Sequence, residues 1–390
     1  MKAGVYLNKA KQNAVRRGHP WVFPKAISKS TGELITGQLV EVFTPEAELL
    51  GTGVYNEHSL YRVRILAQSW EELDTSSLRS IIQYRLKQAF LIRENLNLPN
   101  EKTSAYRLFN SEADGLSGLT IDRFNKVSVI SSSAYWVEEN KEIIKDCLLE
   151  RLAGEELIWL SQKKPLAQDG WLLEAEQPLP TRAKVVEAGI LYEVDFSQAQ
   201  KTGLFIDQRE NHQRIAALAK GKRVLDLYSY SGGFALHAAK AGATQVTAVD
   251  SSAQAISQAK HNALLNDLDN IEFIEADARD YLAKAGDYDL IILDPPKLVP
   301  SMQHLERAKK YYRFLHSELF KVMRPGSLLM TCNCSSALSS QEFSALVSNQ
   351  GPMHGKQVRL LGSYGAAACH PTLAAFPEGS YLTALLLVVV

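Results

Sequence analysis

Two thiols and a carboxylate near the end of the chain are the residues best equipped for chemistry. Cys332 and Cys334 stand in Thr331-Cys332-Asn333-Cys334-Ser335, and Asp294 opens the run Asp294-Pro295-Pro296-Lys297. A thiolate can add to carbon 6 of a cytosine and turn its poorly nucleophilic carbon 5 into an enamine carbon that takes a methyl group. The thiol then leaves by β-elimination. Asp294 offers an acceptor to a flat polar ligand such as a base, and the two prolines fix the directions of the loop carbonyls. On a strand, residues two apart share a side, so Cys332 and Cys334 face the same way, with Cys334 nearer the loop. Cys332 reads as a buried, inert thiol. A zinc site from Cys332, Cys334, Cys369 and His370 is disfavoured, because Cys-x-Cys is not the usual ligand spacing and no second close pair exists. No metal is expected.

A second set of acids falls where strands should end. Asp226 precedes Leu227-Tyr228-Ser229-Tyr230-Ser231-Gly232-Gly233-Phe234. Gly232 and Gly233 let a backbone approach a ligand closely, but the three-glycine dinucleotide fingerprint is incomplete, which weakens a nicotinamide reading. Asp250 ends the next strand and can accept both hydroxyls of a ribose. Asp277, ending the third, can accept an adenine amino group. Acids reading ribose and adenine without a pyrophosphate cradle point to S-adenosylmethionine, with Asp226 toward the methionine ammonium. The bland alternative is that Asp226 and Asp250 cap the helices that follow. The expected cofactor site is Asp226, Tyr228, Tyr230, Gly232, Gly233, Asp250, Asp277, Asp294 and Pro295. The expected catalytic pair is Cys334 and Asp294.

Those residues need a parallel, doubly wound sheet to bring them to one edge. The pattern from about residue 205 onward supplies it. Strands at Arg223–Leu227, Gln245–Asp250, Ile271–Ile274, Tyr288–Asp294 and Ser327–Cys332 alternate with helices, and all-apolar runs such as Leu290-Ile291-Ile292-Leu293 suit strands buried on both faces. The loops after the fourth and fifth strands should therefore be neighbours. Tyr381–Val390 reads as a final buried strand. Upstream, Leu39–Phe43, Leu49–Tyr55 and Tyr61–Leu66 predict a small β-barrel, followed by a helix over Ser77–Leu96. A second β-rich block has a hairpin turning at Asn125-Lys126, a helix over Glu139–Leu152 and a hairpin turning at Gly189, with Gln162–Pro180 read as a loop.

Composition sets the class. The chain has 390 residues, 46% apolar and 22% charged, which fits two or three folded domains and not a disordered chain. No apolar run reaches the roughly 20 residues of a membrane span, and the N-terminus shows no secretory h-region. Four cysteines do not make a disulfide framework, so a reducing cytoplasm is expected. Lys+Arg and Asp+Glu both number 43, yet the first acid is Glu33, after Lys2, Lys9, Lys11, Arg16, Arg17, Lys25 and Lys29. That basic lobe, interleaved with His19, Trp21 and Phe23, could hold RNA phosphates and stack on bases, and Lys309, Lys310 and Arg313 could extend the track.

Together these motifs resemble those of the bacterial 23S rRNA large-subunit cytosine-5 methyltransferases that carry an N-terminal PUA domain. The resemblance runs through Arg16–Phe23, Asp114–Leu116 with Gly118–Phe124, Lys201–Asn211, Asp226–Phe234, Asp294–Lys297, Asn333–Ser335 and Pro377–Leu382, almost the whole length. It implies an α/β architecture. A class I, Rossmann-like methyltransferase domain with a mainly parallel seven-stranded sheet would follow a small β-barrel PUA domain and a central α+β domain. The implied division is residues 1–75, 76–188 and 189–390. It further implies 23S rRNA as partner, 5-methylcytosine as product and Cys334 as nucleophile; no membrane partner is expected, and the oligomeric state is not readable from the sequence, which leaves a homodimer open. The sequence departs from the wider pattern at Pro296, where other RNA cytosine-5 methyltransferases carry a second Cys, and at Ser336, where Gly is expected. Two alternatives stay open: an rRNA methyltransferase acting on a base nitrogen of guanine, and an inactive RNA-binding assembly factor. Base-nitrogen enzymes usually place a stacking aromatic after Asp-Pro-Pro, and here Lys297 and Leu298 follow.

Overall fold

The structure, a computed structural model, describes residues 3–173, 182–196, 203–299 and 302–390. Lys2 of the basic lobe, residues 174–180 of the expected loop, and Lys201 and Thr202 lie outside the described residues.

The first strands are β1 (Ala3–Leu7), β2 (Trp21–Val22), β3 (Ile27–Thr31), β4 (Leu39–Phe43), β5 (Leu49–Tyr55) and β6 (Val63–Gln68), in one sheet of order β2-β6-β5-β4-β1-β3. Its core is Val5, Leu7, Val22, Val40, Val42 and Val63, all at or near zero exposure. The reading from sequence found only the last three strands. β2 has two residues, and β3 is mostly exposed, so neither carries a clear apolar alternation.

The helix Leu78–Asn95 begins where expected, because the Ser77 side chain caps it by accepting from Ser80 N. Its buried Ile81, Ile82, Leu86, Ala89 and Phe90 join a core shared with a four-stranded sheet. That sheet holds β7 (Ala105–Asn110), β8 (Leu119–Phe124), β9 (Val127–Ser132) and β10 (Glu156–Ser161), in the order β10-β9-β8-β7. The β8–β9 turn falls on Asn125, in the left-handed region at φ 60°. The helix expected over Glu139–Leu152 is observed as Lys141–Leu149, and a short helix that was not foreseen, Tyr135–Glu139, precedes it. Part of the expected loop is a helix, Lys163–Gln168, with Pro165 in its first turn, where a missing N–H costs nothing.

A hairpin of β11 (Arg182–Glu187) and β12 (Ile190–Asp195) turns at Ala188 and Gly189. Its apolar face packs with Ala105, Phe124 and Val129 of the four-stranded sheet and with Leu236 and Ala263 of the last sheet's helices. The hairpin is thus the mortar between the two blocks.

The last sheet contains β13 (Arg223–Leu227), β14 (Gln245–Asp250), β15 (Ile271–Glu275), β16 (Leu290–Leu293), β17 (Leu328–Asn333), β18 (Val358–Tyr364) and β19 (Thr383–Val389). The order is β15-β14-β13-β16-β17-β19-β18, parallel except for β19, which runs against both neighbours. β16 and β17 are adjacent and parallel, as the chain pattern required. Alternate residues of β16 feed two cores: Ile291 and Leu293 enter one, Leu290 and Ile292 the other. The same split of Leu385, Leu387 and Val389 against Ala384 and Leu386 explains the apolar tail, since β19 is covered on both faces. Edge strand β18 was not foreseen, because four of its seven residues are exposed and it lacks the apolar run of its neighbours.

Candidate active site

All the predicted acids lie at the carboxyl edge of this sheet, but their surroundings differ. Asp226, near the end of β13, is buried. Its Oδ2 accepts from Ala235 N at 3.0 Å, in the following helix, so the capping alternative holds for one oxygen. Oδ1 is buried with no hydrogen-bond partner among the described residues, and the nearby Ser229 Oγ is in the same state. A buried polar atom without a partner costs about 1–3 kcal/mol. Burial first, then the Asp294 and Asp250 carboxylates, push the Asp226 carboxyl well above the usual carboxylate range, against the Ala235 N–H.

The turn between them is strained. Tyr228 and Tyr230 both have positive φ, 66° and 48°, uncommon for large side chains and costing about 1–3 kcal/mol each. Tyr228 Oη lies 3.3 Å from Tyr311 Oη. Gly232 has φ 89°, a conformation that favours glycine. Gly233 is needed for a different reason: a Cβ there would lie 2.6 Å from the His212 ring.

Asp250 is not the cap of the next helix; Ser252 is, accepting from Ala255 N. The Asp250 carboxylate instead braces the glycine turn, its Oδ2 accepting from Tyr230 N and its Oδ1 from Ser252 N, both at 2.9 Å. Each oxygen retains a second acceptor direction. Asp277 is committed elsewhere. It caps the following 3-10 helix through Arg279 N and pairs with the Arg279 guanidinium, which lowers its pKa.

The fourth and fifth strand ends meet, as the topology demanded. Ser335 Oγ donates to Val299 O at 3.0 Å, tying the loop after β17 to the loop after β16. Asn333 braces the turn after Cys334 by donating to Ser335 O and Leu338 O, while Tyr312 Oη donates to its Oδ1. Asp294 Oδ2 accepts from Gln208 Nε2 at 3.0 Å, and Gln208 is steadied by Asn211 Nδ2 at 2.6 Å. Gln208, Asn211 and Asn333 were missed as individual residues. Polar side chains at a helix start or strand end carry no spacing signal, although all three fall within the segments that carry the family resemblance.

The two thiols part company here. Cys332 is fully buried. Burial first, then the Asp294 carboxylate, push its thiol far above its usual value. Cys334 is half-buried and immediately precedes Ser335, which joins the two loops. Cys369 packs in another core, with His370 Nδ1 3.4 Å from its Sγ, so the considered four-residue zinc set is not assembled. A different cluster, Glu187, His212 and His237, lies behind the glycine turn with ligand atoms within 4.8 Å of one another. Hydrogen bonds account for it: His212 Nδ1 lies 2.7 Å from Glu187 Oε1, and His237 Nδ1 lies 2.8 Å from Gly233 O. It clamps the turn from below.

The basic lobe is rearranged relative to expectation. Arg16 is paired with Glu48 through both guanidinium nitrogens. Trp21 stacks on Tyr61 at 3.9 Å between centroids, and its Nε1 donates toward Glu112 and Ser117. It is a packing residue, not an open base platform. Phe23 stays 38% exposed. Lys309 pairs with Glu306 and Glu342.

Comparison with known proteins agrees with this geometry. A family model for S-adenosylmethionine-dependent methyltransferases matches residues 150–353, and one for PUA-like domains matches residues 5–68. The chain is 33% identical to the ribosomal RNA large subunit methyltransferase I of Vibrio parahaemolyticus, over 98% of each chain. It is 34% identical to the same-named protein of Aeromonas hydrophila, over 99% of each. A solved Streptococcus mutans chain described as a SAM-dependent methyltransferase shares the fold over its full length, with TM-score 0.81 at 20% identity. A second solved methyltransferase, complexed with SAH, superposes with TM-score 0.82, also at 20% identity and full coverage.

Proposed function

The chain belongs to the S-adenosylmethionine-dependent ribosomal RNA large subunit methyltransferases, and from that premise we propose that it forms 5-methylcytosine in 23S rRNA through a covalent adduct with Cys334. The observation that carries this reading is the contrast between the thiols. Cys334 is half-buried beside Ser335, which joins the two loops, whereas ionising Cys332 would place a thiolate in an apolar core beside Asp294.

The residues present fit the cofactor. The unpartnered Asp226 Oδ1 and Ser229 Oγ line a glycine turn, and a cationic ammonium there would relieve the burial of Asp226. We assign Asp226, Tyr228, Tyr230, Gly232, Gly233, Asp250, Asp294 and Pro295 to that site, Asp250 toward the ribose. Asp277 joins only by exchanging part of its pairing with Arg279. Bound S-adenosylmethionine supplies an electrophilic methyl carbon. Cys334 Sγ bonds to carbon 6 of the cytosine, and the electron pair of the 5,6 double bond becomes available at carbon 5. After methylation a proton leaves carbon 5, the sulfur–carbon 6 bond breaks, and the thiolate is regenerated. Gln208 keeps Asp294 oriented as an acceptor at the pyrimidine ring. We also propose the division 1–75, 76–188 and 189–390, with its second boundary in the turn of the bridging hairpin, and a cytoplasmic location, where rRNA is found.

Nucleoside analysis of 23S rRNA methylated with labelled cofactor is expected to give 5-methylcytosine; label on guanine would overturn the assignment. RNA carrying 5-fluorocytosine at the target is expected to trap a covalent complex, because fluorine blocks the elimination. Cys334→Ala should lose the adduct and the methyl transfer while still binding cofactor, and Cys332→Ala should mainly lower stability. An adduct that survives in the Cys334 variant and vanishes in the Cys332 variant reverses the roles.

A further inference from the structure

We propose that the cavity between the first sheet, the helix Leu78–Asn95 and the segment Leu373–Ala375 docks an unpaired nucleotide of the RNA substrate, with Trp70 as the stacking surface and Arg17 as the phosphate contact. The proposal rests on the rRNA reading and adds a site outside the methyl-transfer loops.

The cavity has a volume of about 510 Å³, within the range of about 300–1,000 Å³ that holds small ligands. Trp70, Tyr84, Gln88 and Arg17 line it. Trp70 is 57% exposed, in contrast to Trp21 and the fully buried Trp136. Gly18 stands beside its six-membered ring, where even a Cβ would lie 3.7 Å from both Cζ2 and Cη2, so this side of the indole is not crowded. An indole more than half exposed on the rim of a cavity can stack a base, and every base has a π-face to offer.

The charges fit a polyanion. Three carboxylates line the cavity, and each is already answered. Arg85 holds Glu71 through two bonds of 2.7 and 2.6 Å. Arg93 holds Asp114 through two of 2.8 Å. Glu112 accepts from Trp21 and Ser117, with Arg64 3.9 Å away. Arg17 is exposed and has no ion pair among the described residues, so its charge remains available. Gln88, half-exposed on the helix, offers an amide to a base edge. An unpaired nucleotide uses all of these groups; duplex RNA would hide the base face that Trp70 needs.

The pocket is also joined to the reaction loops. Its wall at Leu373–Ala375 belongs to the segment between β18 and β19. That segment is anchored on Asp207 at both ends, by Ala367 N donating to Asp207 O at 2.8 Å and by Tyr381 Oη donating to Asp207 Oδ2 at 2.7 Å. Asp207 adjoins Gln208, which holds Asp294. A nucleotide seated on Trp70 would therefore rest against a segment whose ends are tied to the residue next to Gln208.

The test uses the full chain, 23S rRNA and labelled S-adenosylmethionine. Trp70→Ala is expected to raise the KM for RNA about 5- to 150-fold, the range that loss of one base-stacking aromatic brings. The kcat should stay within about twofold, and cofactor affinity by calorimetry should be unchanged. Trp70→Phe should recover most of the affinity. Arg17→Gln should lower the log–log salt slope of RNA binding by about 0.7–0.9, one phosphate contact. A Trp70→Ala enzyme with wild-type KM and an Arg17→Gln enzyme with wild-type slope overturn the pocket. Wild type assayed in parallel keeps the two readings apart: failure of wild type to methylate any rRNA overturns the parent reading, whereas equal KM values in an active pair overturn only the pocket.

Discussion

Buried charges are handled in opposite ways at two places in this molecule. In and around the central block, three buried acids each have an arginine. Arg64 lies 3.1 Å from Asp169, whose Oδ1 also accepts from Ser59 at 2.6 Å. Arg93 and Asp114, both 1% exposed, form a bidentate pair. Arg107 is paired with Asp122. At the carboxyl edge of the seven-stranded sheet, by contrast, Asp226 is buried with no ion pair among the described residues and one oxygen unpartnered, and Asp294 is held by a neutral amide. Pairing offsets the desolvation of a charge within the fold; leaving an acid unpaired stores that cost until a ligand relieves it. The first region satisfies its acids within the fold, and the second leaves one Asp226 oxygen for the ligand proposed above.

Breaking a pair in the first region should have the larger effect on stability. Arg93→Met leaves Asp114 buried without its partner, and denaturant unfolding should show a loss of about 3–5 kcal/mol. Loss below 1 kcal/mol would mean that water reaches Asp114 and the contrast is overstated. Asp250→Ala removes an acceptor from the proposed ribose contact and the brace of the Tyr230 amide, and calorimetry should show cofactor binding weakened by about 1.5–3 kcal/mol.

Asp226→Asn sharpens the comparison, because binding and stability should move in opposite directions. Cofactor binding should weaken about tenfold. The cofactor-free fold should gain. The folded pKa of Asp226 is raised, so the folded state favours its proton, and that stability is complete only below the unfolded pKa of about 3.9. It is lost as pH rises from there toward the folded value. The stability advantage of the Asn variant over wild type should therefore grow as pH rises above about 4, as a pH series of denaturant melts would show. A constant difference would place Asp226 in contact with water. Asp277→Asn should do least, since Arg279 already occupies that carboxylate and solvent screens a pair this exposed. A large loss of cofactor affinity in that variant would show that the Arg279 pairing is exchanged on binding.

Much was legible in the sequence by itself. Ser77 marked a helix start, Asn125 and Gly189 marked turns, and unbroken apolar runs marked strands covered on both faces. The alternation of strand and helix put Asp226, Asp250, Asp277 and Asp294 at one edge and made the loops after β16 and β17 neighbours. These features are local, or follow from chain order, so residue type and spacing suffice to read them.

Only the tertiary structure separated acids that look alike in sequence. Asp277 is neutralised by a residue two positions away, whereas Asp294 depends on Gln208, 86 positions distant. It also chose between aromatic residues: Trp21 is spent in packing, and Trp70, in no motif, is left open. It covered Cys332 completely and left Cys334, two residues further on, half-buried. Each distinction rests on burial and on which polar partners arrive from distant segments. Solvation is a property of the packed assembly, so identical side chains acquire different charge states and different uses once neighbours from elsewhere in the chain have closed around them.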